Sequence, residues 1–398
     1  MKLILLKSFA AAVFGAILFM PVVVSAQEDP TKGMSAEEIE NVFRPRARQL
    51  LYVTLPGTLE YPGYLTGLGI VVLDVNNDYS FVKRIPAIEV PASMSPEQVA
   101  GVAASPTTNM IYLGYRGRLA AYDLATDKLA WVQTYDGKCC ERPEVTKDGK
   151  TIVVGSDLQD YWYVVDAKTG KLKGTIKAPN SMLAHNLNLS PDGKLAFMSP
   201  NGPVLAVGDI KTMKLVKEIR FSDNVRPFVV NKDASKIYAN LNNLLGFEIA
   251  DVESGKITKR IEITTFPWKE ANANEVIPHG CPSHGIALVD DDKEVWIVDG
   301  INDFVHIFDN TQDTPVLINS IKTGKGPAWI TIGLDEKHAY ISTGDVIDTK
   351  SYKVVGQLKD EYGRVMRSEK LLDMSFRDGK LRRVASQFGN GQVLTSGE

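Results

Sequence analysis

One module recurs along most of this chain, and it limits the folds available more than any other feature. A short β-prone run ends in a turn, a second run follows, and a third closes on an aspartate. The second runs are "LLYVT" (50–54), "MIYLG" (110–114), "TIVVG" (151–155), "LAFMS" (195–199), "KIYAN" (236–240), "EVWIV" (294–298) and "HAYIS" (338–342). The third runs close on Asp74, Asp123, Asp166, Asp209, Asp251, Asp309 and Asp348, at spacings of 49, 43, 43, 42, 58 and 39 residues. A turn such as "AKTGK" or "VESGK" comes next, then a fourth run: "LKGTIKA", "LVKEIRF", "ITKRIEI" or "VVGQLKD". Self-similarity at a period of roughly 40–50 residues marks a stacked or radial repeat.

Alternating Val, Ile, Tyr and Phe between Asp-Gly and Thr-Gly turns predicts short antiparallel strands. Four strands per module at this period match the blade of a β-propeller. A four-stranded twisted sheet cannot bury both faces alone, whereas blades stacked around an axis cover one another and ring closure hides the edges. No module carries a helical period, so helical solenoids are excluded. The prediction is an all-β, seven-bladed propeller of four-stranded antiparallel blades, a single domain over 45–396. The recurrent aspartates are expected to accept backbone amides of the following turn. Blade 1 shows no innermost strand before "LLYVT", and a surplus hairpin, "SEKLLDMSFRDGKLRRVAS" (368–386), follows blade 7. "KLLDMSF" is therefore expected to pair into blade 1, so that the N- and C-terminal segments close the ring.

The modules "SPDGKLAFMSPNGPVLAVGDIKTMKLVKEI" and "TKDGKTIVVGSDLQDYWYVVDAKTGKLKGTI" resemble YVTN-repeat seven-bladed propellers, as does the strand "LYVT". The likeness extends over nearly the whole chain after the leader. It implies an exported bacterial propeller of the quinoprotein amine dehydrogenase β-subunit-like or lactonase-like kind, a group that includes both binding proteins and enzymes. Its motifs specify fold far more than chemistry.

The first residues, "MKLILLKSFAAAVFGAILFMPVVVSA", have a basic start, an apolar stretch and small residues at Val24-Ser25-Ala26. This pattern predicts a signal peptide over 1–26, then an N-terminal linker over 27–44, and a periplasmic or secreted protein. The apolar run is shorter than the ~20 residues that span a bilayer, so no membrane span is expected after cleavage. A formal net charge of −3 gives no reason to expect a nucleic-acid partner. The expected partner is a small-molecule ligand or a periplasmic protein, bound by a monomer. Cys139, Cys140 and Cys281 are odd in number, so at most one disulfide forms within the chain. A vicinal Cys139–Cys140 bond and a bond from either residue to Cys281 both remain open.

In a propeller the first strand of each blade lines the central channel. The blades fall into register on the turn residues Asp148, Asp192, Asp233, Asp291 and Asp335. Counting back seven positions reaches Glu141, His185, Arg226, His284 and Ala328, and the same step in blade 2 reaches Ala100. Four adjacent blades thus aim Glu, His, Arg and His at one level, and such groups are rarely buried without partners. "HGCPSHGIAL" (279–288) brings His279 and Cys281 to the approach of the blade-6 strand, on the insertion that lengthens one spacing to 58. Arg142, Asn186, Lys325 and Trp329 are further ligand-binding candidates near the same mouth.

This ring admits three chemistries. Its members can satisfy one another around a solvated channel. They can hold a small anionic ligand, with Arg226 and Lys325 taking the charge and His185 and His284 donating hydrogen bonds. Or His185, His279, Cys281 and His284 can hold a transition metal, zinc or copper, for hydrolase, lyase or oxidoreductase chemistry. Without a metal, His185 and His284 beside Glu141 could still act as catalytic acid and base. The spacing His279-x-Cys281-x-x-His284 matches no established metal signature. The chain has no Gly-rich phosphate loop, no nucleophile elbow and no Cys-x-x-Cys-His haem motif.

Overall fold

Six of the seven repeats become four-stranded antiparallel sheets in which chain neighbours are paired. The computed structural model describes residues 47–55, 69–86 and 99–396, apart from 116, 138, 157, 179–183, 201 and 269–277. The expected signal peptide (1–26) and linker (27–44) lie outside the described residues. All described strands belong to one unit, Arg46–Glu398. Among the described residues, no helix is long and apolar enough to cross a membrane.

The turn aspartates do what their position predicts. In all seven a side-chain oxygen accepts a backbone N–H two or three residues on, from Asn76 N to Asp74 (3.0 Å) to Ser351 N to Asp348 (2.7 Å). The bond fixes the tight turn into each fourth strand. Those fourth strands alternate between exposed and half-buried positions, as in Lys214–Arg220 and Lys256–Glu262, and form the outer rim. The second and third strands are buried almost throughout. The core accordingly lies between blades. Phe197, Leu205 and Val207 of blade 4 pack with Phe228, Val230 and Ile237 of blade 5, and Trp296 and Val298 of blade 6 pack with Ile330 and Ile341 of blade 7.

The first strands of blades 2 to 7 are Val99–Ser105, Cys139–Val145, Ala184–Leu189, Val225–Val230, Ile286–Val289 and Ile330–Ile332. Each touches the next around the axis, and Leu371–Arg377 completes the circle by touching both Ile330–Ile332 and Val99–Ser105. Leu371–Arg377 pairs antiparallel with Arg48–Leu55, Leu51 opposite Asp373 and Tyr52 opposite Leu372. The two ends of the described chain therefore close the ring, as "KLLDMSF" predicted.

Blade 1 differs from the other six in having six strands. Lys380–Ala385 pairs with the inner edge of Leu371–Arg377, and Val393–Thr395 follows. This carries residues 386–392 into the channel, where they bond to the inner strands of five blades. Gln387 Oε1 accepts from Val102 N (3.4 Å) and its Nε2 donates to Pro143 O (3.2 Å). Gln392 Nε2 donates to Leu189 O, Leu288 N donates to Gly389 O, and Trp329 Nε1 donates to Gln387 O. The channel is floored rather than open.

Candidate functional site

Above that floor, side chains from four blades meet. Arg142 leaves the first strand of blade 3, is 2% exposed, and crosses toward the opposite side of the ring. Its guanidinium carbon lies 3.8 Å from the centroid of the Trp329 ring of blade 7, and its Nη2 donates to Glu369 Oε2 of blade 1 at 3.1 Å. A desolvated cation over an indole face contributes about 2 kcal/mol. Arg142 reaches this position because its backbone is left-handed, with φ of 47°, and because Gly101 of blade 2 leaves it room. A Cβ on Gly101 would stand 2.4 Å from the Arg142 Cα.

Glu369 collects charge from three directions. Lys370 Nζ lies 3.0 Å from its Oε2, and His279 Nε2 lies 2.9 Å from its Oε1. Burial pushes the Glu369 carboxyl upward, but Lys370, His279 and His284 pull it well below the usual carboxylate range. Burial lowers the Lys370 ammonium despite the support of Glu369. His279 is left-handed too, with φ of 61°, in a single 3-10 turn, Pro278–Gly280. Its ring stacks on His284 with centroids 4.4 Å apart. His284 is buried just before the first strand of blade 6, and its Nδ1 is 3.0 Å from Ala328 O. Non-glycine residues held at positive φ cost about 1–3 kcal/mol each, and such strain concentrates at functional sites.

Of the residues singled out from sequence, Arg142, Trp329, His279 and His284 are brought together. Glu141 stands at the edge, 3.9 Å from Arg142 Nε. Arg226 is spent on structure: Nε donates to Asn242 Oδ1 and Nη2 to His279 O at 2.6 Å, which pins the His279 turn. Cys281 is buried, and burial pushes its thiol up to about 12. Cys139 and Cys140 are joined to each other, so Cys281 is the free thiol. Lys325 is exposed, and its carbonyl accepts from Arg367 Nη2. Asn186 is buried, and both atoms of its side-chain amide lack a hydrogen-bond partner among the described residues. So do Nε and Nη1 of Arg142. His185 belongs to Ala184–Leu189; its side chain lies outside the described residues.

Glu369 and Lys370 were missed from sequence, although a signal existed. The turn "RDGK" (377–380) repeats "KDGK" (147–150) and "PDGK" (191–194), which follow innermost strands in blades 3 and 4. Aligning Asp378 on Asp148 makes 371–377 an innermost strand and puts Glu369 at its mouth end.

Fold and site together define a seven-bladed β-propeller with a charged, partly unsatisfied cup at one end of a floored channel. No protein-family model matches the chain, and no curated protein matches it. Among solved structures it is similar to the dihydro-heme d1 dehydrogenase NirN in complex with DHE. The TM-score is 0.57 at 15% sequence identity, over 86% of this chain and 76% of that one. The likeness shows the seven-bladed propeller fold that the YVTN resemblance implied.

Proposed function

We propose that this protein is an exported propeller that binds a small anionic ligand at the mouth of its channel, with Arg142 as the principal anchor. One observation carries the reading: a guanidinium 2% exposed has two nitrogens, Nε and Nη1, without a hydrogen-bond partner among the described residues. Leaving buried donors unmade costs about 1–3 kcal/mol, more for charged groups, so a site that keeps them is arranged to receive an acceptor. Asn186, orphaned at both amide atoms, adds a donor and an acceptor. Arg142 takes the role that sequence gave to Arg226, whose guanidinium is occupied. The leader-like run over 1–26 supports a periplasmic or secreted location, and a propeller neighbour with DHE in complex supports ligand binding in general.

The test is thermal stabilisation of the full chain by phosphate, sulfate, acetate and succinate, each at increasing concentration. A ligand at 100 times its Kd stabilises by about 2.7 kcal/mol. At least one anion is expected to raise Tm, and Arg142→Gln to weaken that response at least tenfold while Arg142→Lys retains part of it. Equal responses in wild type and Arg142→Gln, or none in wild type, sink the reading.

A second reading, a metal-dependent hydrolase, lyase or oxidoreductase, is favoured by a separate observation. Ligand atoms of His279, His284 and Glu369 all lie within 4.8 Å of one another.

A further inference from the structure

Deepening that second reading, we propose that His279, His284 and Glu369 form a three-ligand site for one divalent transition ion of the zinc class. Two imidazoles and one carboxylate suit such ions, and three protein ligands leave a coordination position open. Of the sequence candidates, Cys281 is not among these three, and the His185 side chain lies outside the described residues.

The surroundings of each ligand carry the inference beyond proximity. A histidine that binds metal through one ring nitrogen commonly donates its other N–H to a carbonyl or carboxylate. His284 has this arrangement: Nδ1 lies 3.0 Å from Ala328 O, and donation there leaves the lone pair on Nε2. The two oxygens of Glu369 have separate surroundings. Oε2 is held by Arg142 Nη2 at 3.1 Å and by Lys370 Nζ at 3.0 Å, while Oε1 faces His279 Nε2 at 2.9 Å. A carboxylate anchored through one oxygen presents the other as a single ligand atom, so the two cations act as its outer support rather than as rivals. The rings of His279 and His284 stack on each other, and a ligand atom of each lies within 4.8 Å of a Glu369 oxygen.

Bonds of about 2.0–2.1 Å set neighbouring ligand atoms about 3–3.5 Å apart. The His279–Glu369 spacing, 2.9 Å, is already close to that value, and the other spacings, all within 4.8 Å, must close by up to about 1.5 Å. Arg226 pins the His279 backbone, so this closure falls to rotation of the imidazole side chains. Arg142 and Lys370 would then stand beside the open position and favour an anionic oxygen donor there.

The measurement is titration of full-length, tag-free, chelator-treated protein with Zn²⁺ by calorimetry, and with Co²⁺ by visible absorption, which reports the geometry around the ion. We expect one ion per chain, and at least a tenfold loss of affinity in His284→Ala and in Glu369→Gln. His284→Gln serves if the alanine variant does not fold. Zn²⁺ should raise Tm of the wild type and not of the His279→Ala/His284→Ala variant. Absence of stoichiometric Zn²⁺ and Co²⁺ binding, or undiminished binding in the double variant, overturns the site. Arg142→Gln separates the two proposals: it should weaken the anion response at least tenfold and still bind one Zn²⁺ per chain, less tightly because Glu369 keeps only its Lys370 support.

Discussion

At the scale of single residues, burial decides which groups can react. Cys281 lies within a few residues of two candidate ligands, yet burial drives its thiol up to about 12, leaving almost no thiolate at neutral pH. The folded protein at pH 8 should therefore resist Ellman's reagent. Unfolding without reductant should expose one thiol per chain, and reduction should expose three. Rapid labelling of the native protein would contradict this burial. Arg142 is the opposite case, a permanent charge held inside the ring by the Trp329 face and one carboxylate.

At the scale of elements, the C-terminal segment is closely packed against blade 6 at Gly389. Gly389 has φ of 65°, and a Cβ there would stand 2.8 Å from the Ala287 Cβ and 3.0 Å from Ile286 O. Gly389→Ala should therefore destabilise by about 1–3 kcal/mol through overpacking added to the positive-φ penalty, seen as a lower urea midpoint. Gly379, also at positive φ but with nothing near its missing Cβ, isolates the backbone part; Gly379→Ala should cost less. Equal effects would show that residue 389 is not packed as described.

The same elements explain what sequence revealed. Blades were legible because each one repeats the same local chemistry, an aspartate turn between β-prone runs. The site was less so. Counting back from the turns assumes unbroken pairing, but pairing between first and second strands is irregular at the mouth end of four blades, at Val99/Gly101, Cys139/Glu141, Ala184/Asn186 and Val225/Phe228. Bulges re-aim side chains and gather beside functional sites. In blade 3 the irregularity puts Arg142, rather than Glu141, on the axis. Glu369 escaped because its blade is assembled from segments far apart in the chain, so only the repeated turn at 377–380 marked its strand as an inner one.

At the scale of the molecule, one buried carboxyl ties three parts together. Glu144 of blade 3 accepts from Leu189 N of blade 4 at 2.7 Å and from Ser386 Oγ of the channel floor at 3.2 Å. Burial pushes its carboxyl up to about 8, against the lowering effect of those bonds. The folded state thus binds this proton more tightly than the unfolded chain, whose carboxyl titrates near 4.5. Between those values stability falls as pH rises, by up to ~1.4 kcal/mol per pH unit for one proton. Glu144→Gln should flatten this part of the stability–pH curve and gain relative to wild type near pH 8. A wild-type profile without a decline that the variant removes would refute the assignment.

Thr54 bonds to Lys370 across a separation of 316 residues, and Glu369 precedes that lysine in the segment that seals the circle. A polypeptide can stack blade on blade as it emerges, yet its perimeter cannot shut, nor can Arg142 meet Glu369, until residues 369–377 arrive. A chain cut short of residue 369 should therefore be sticky along an open sheet edge and lack the Glu369 carboxylate, so occupancy of the proposed site would report a ring already closed.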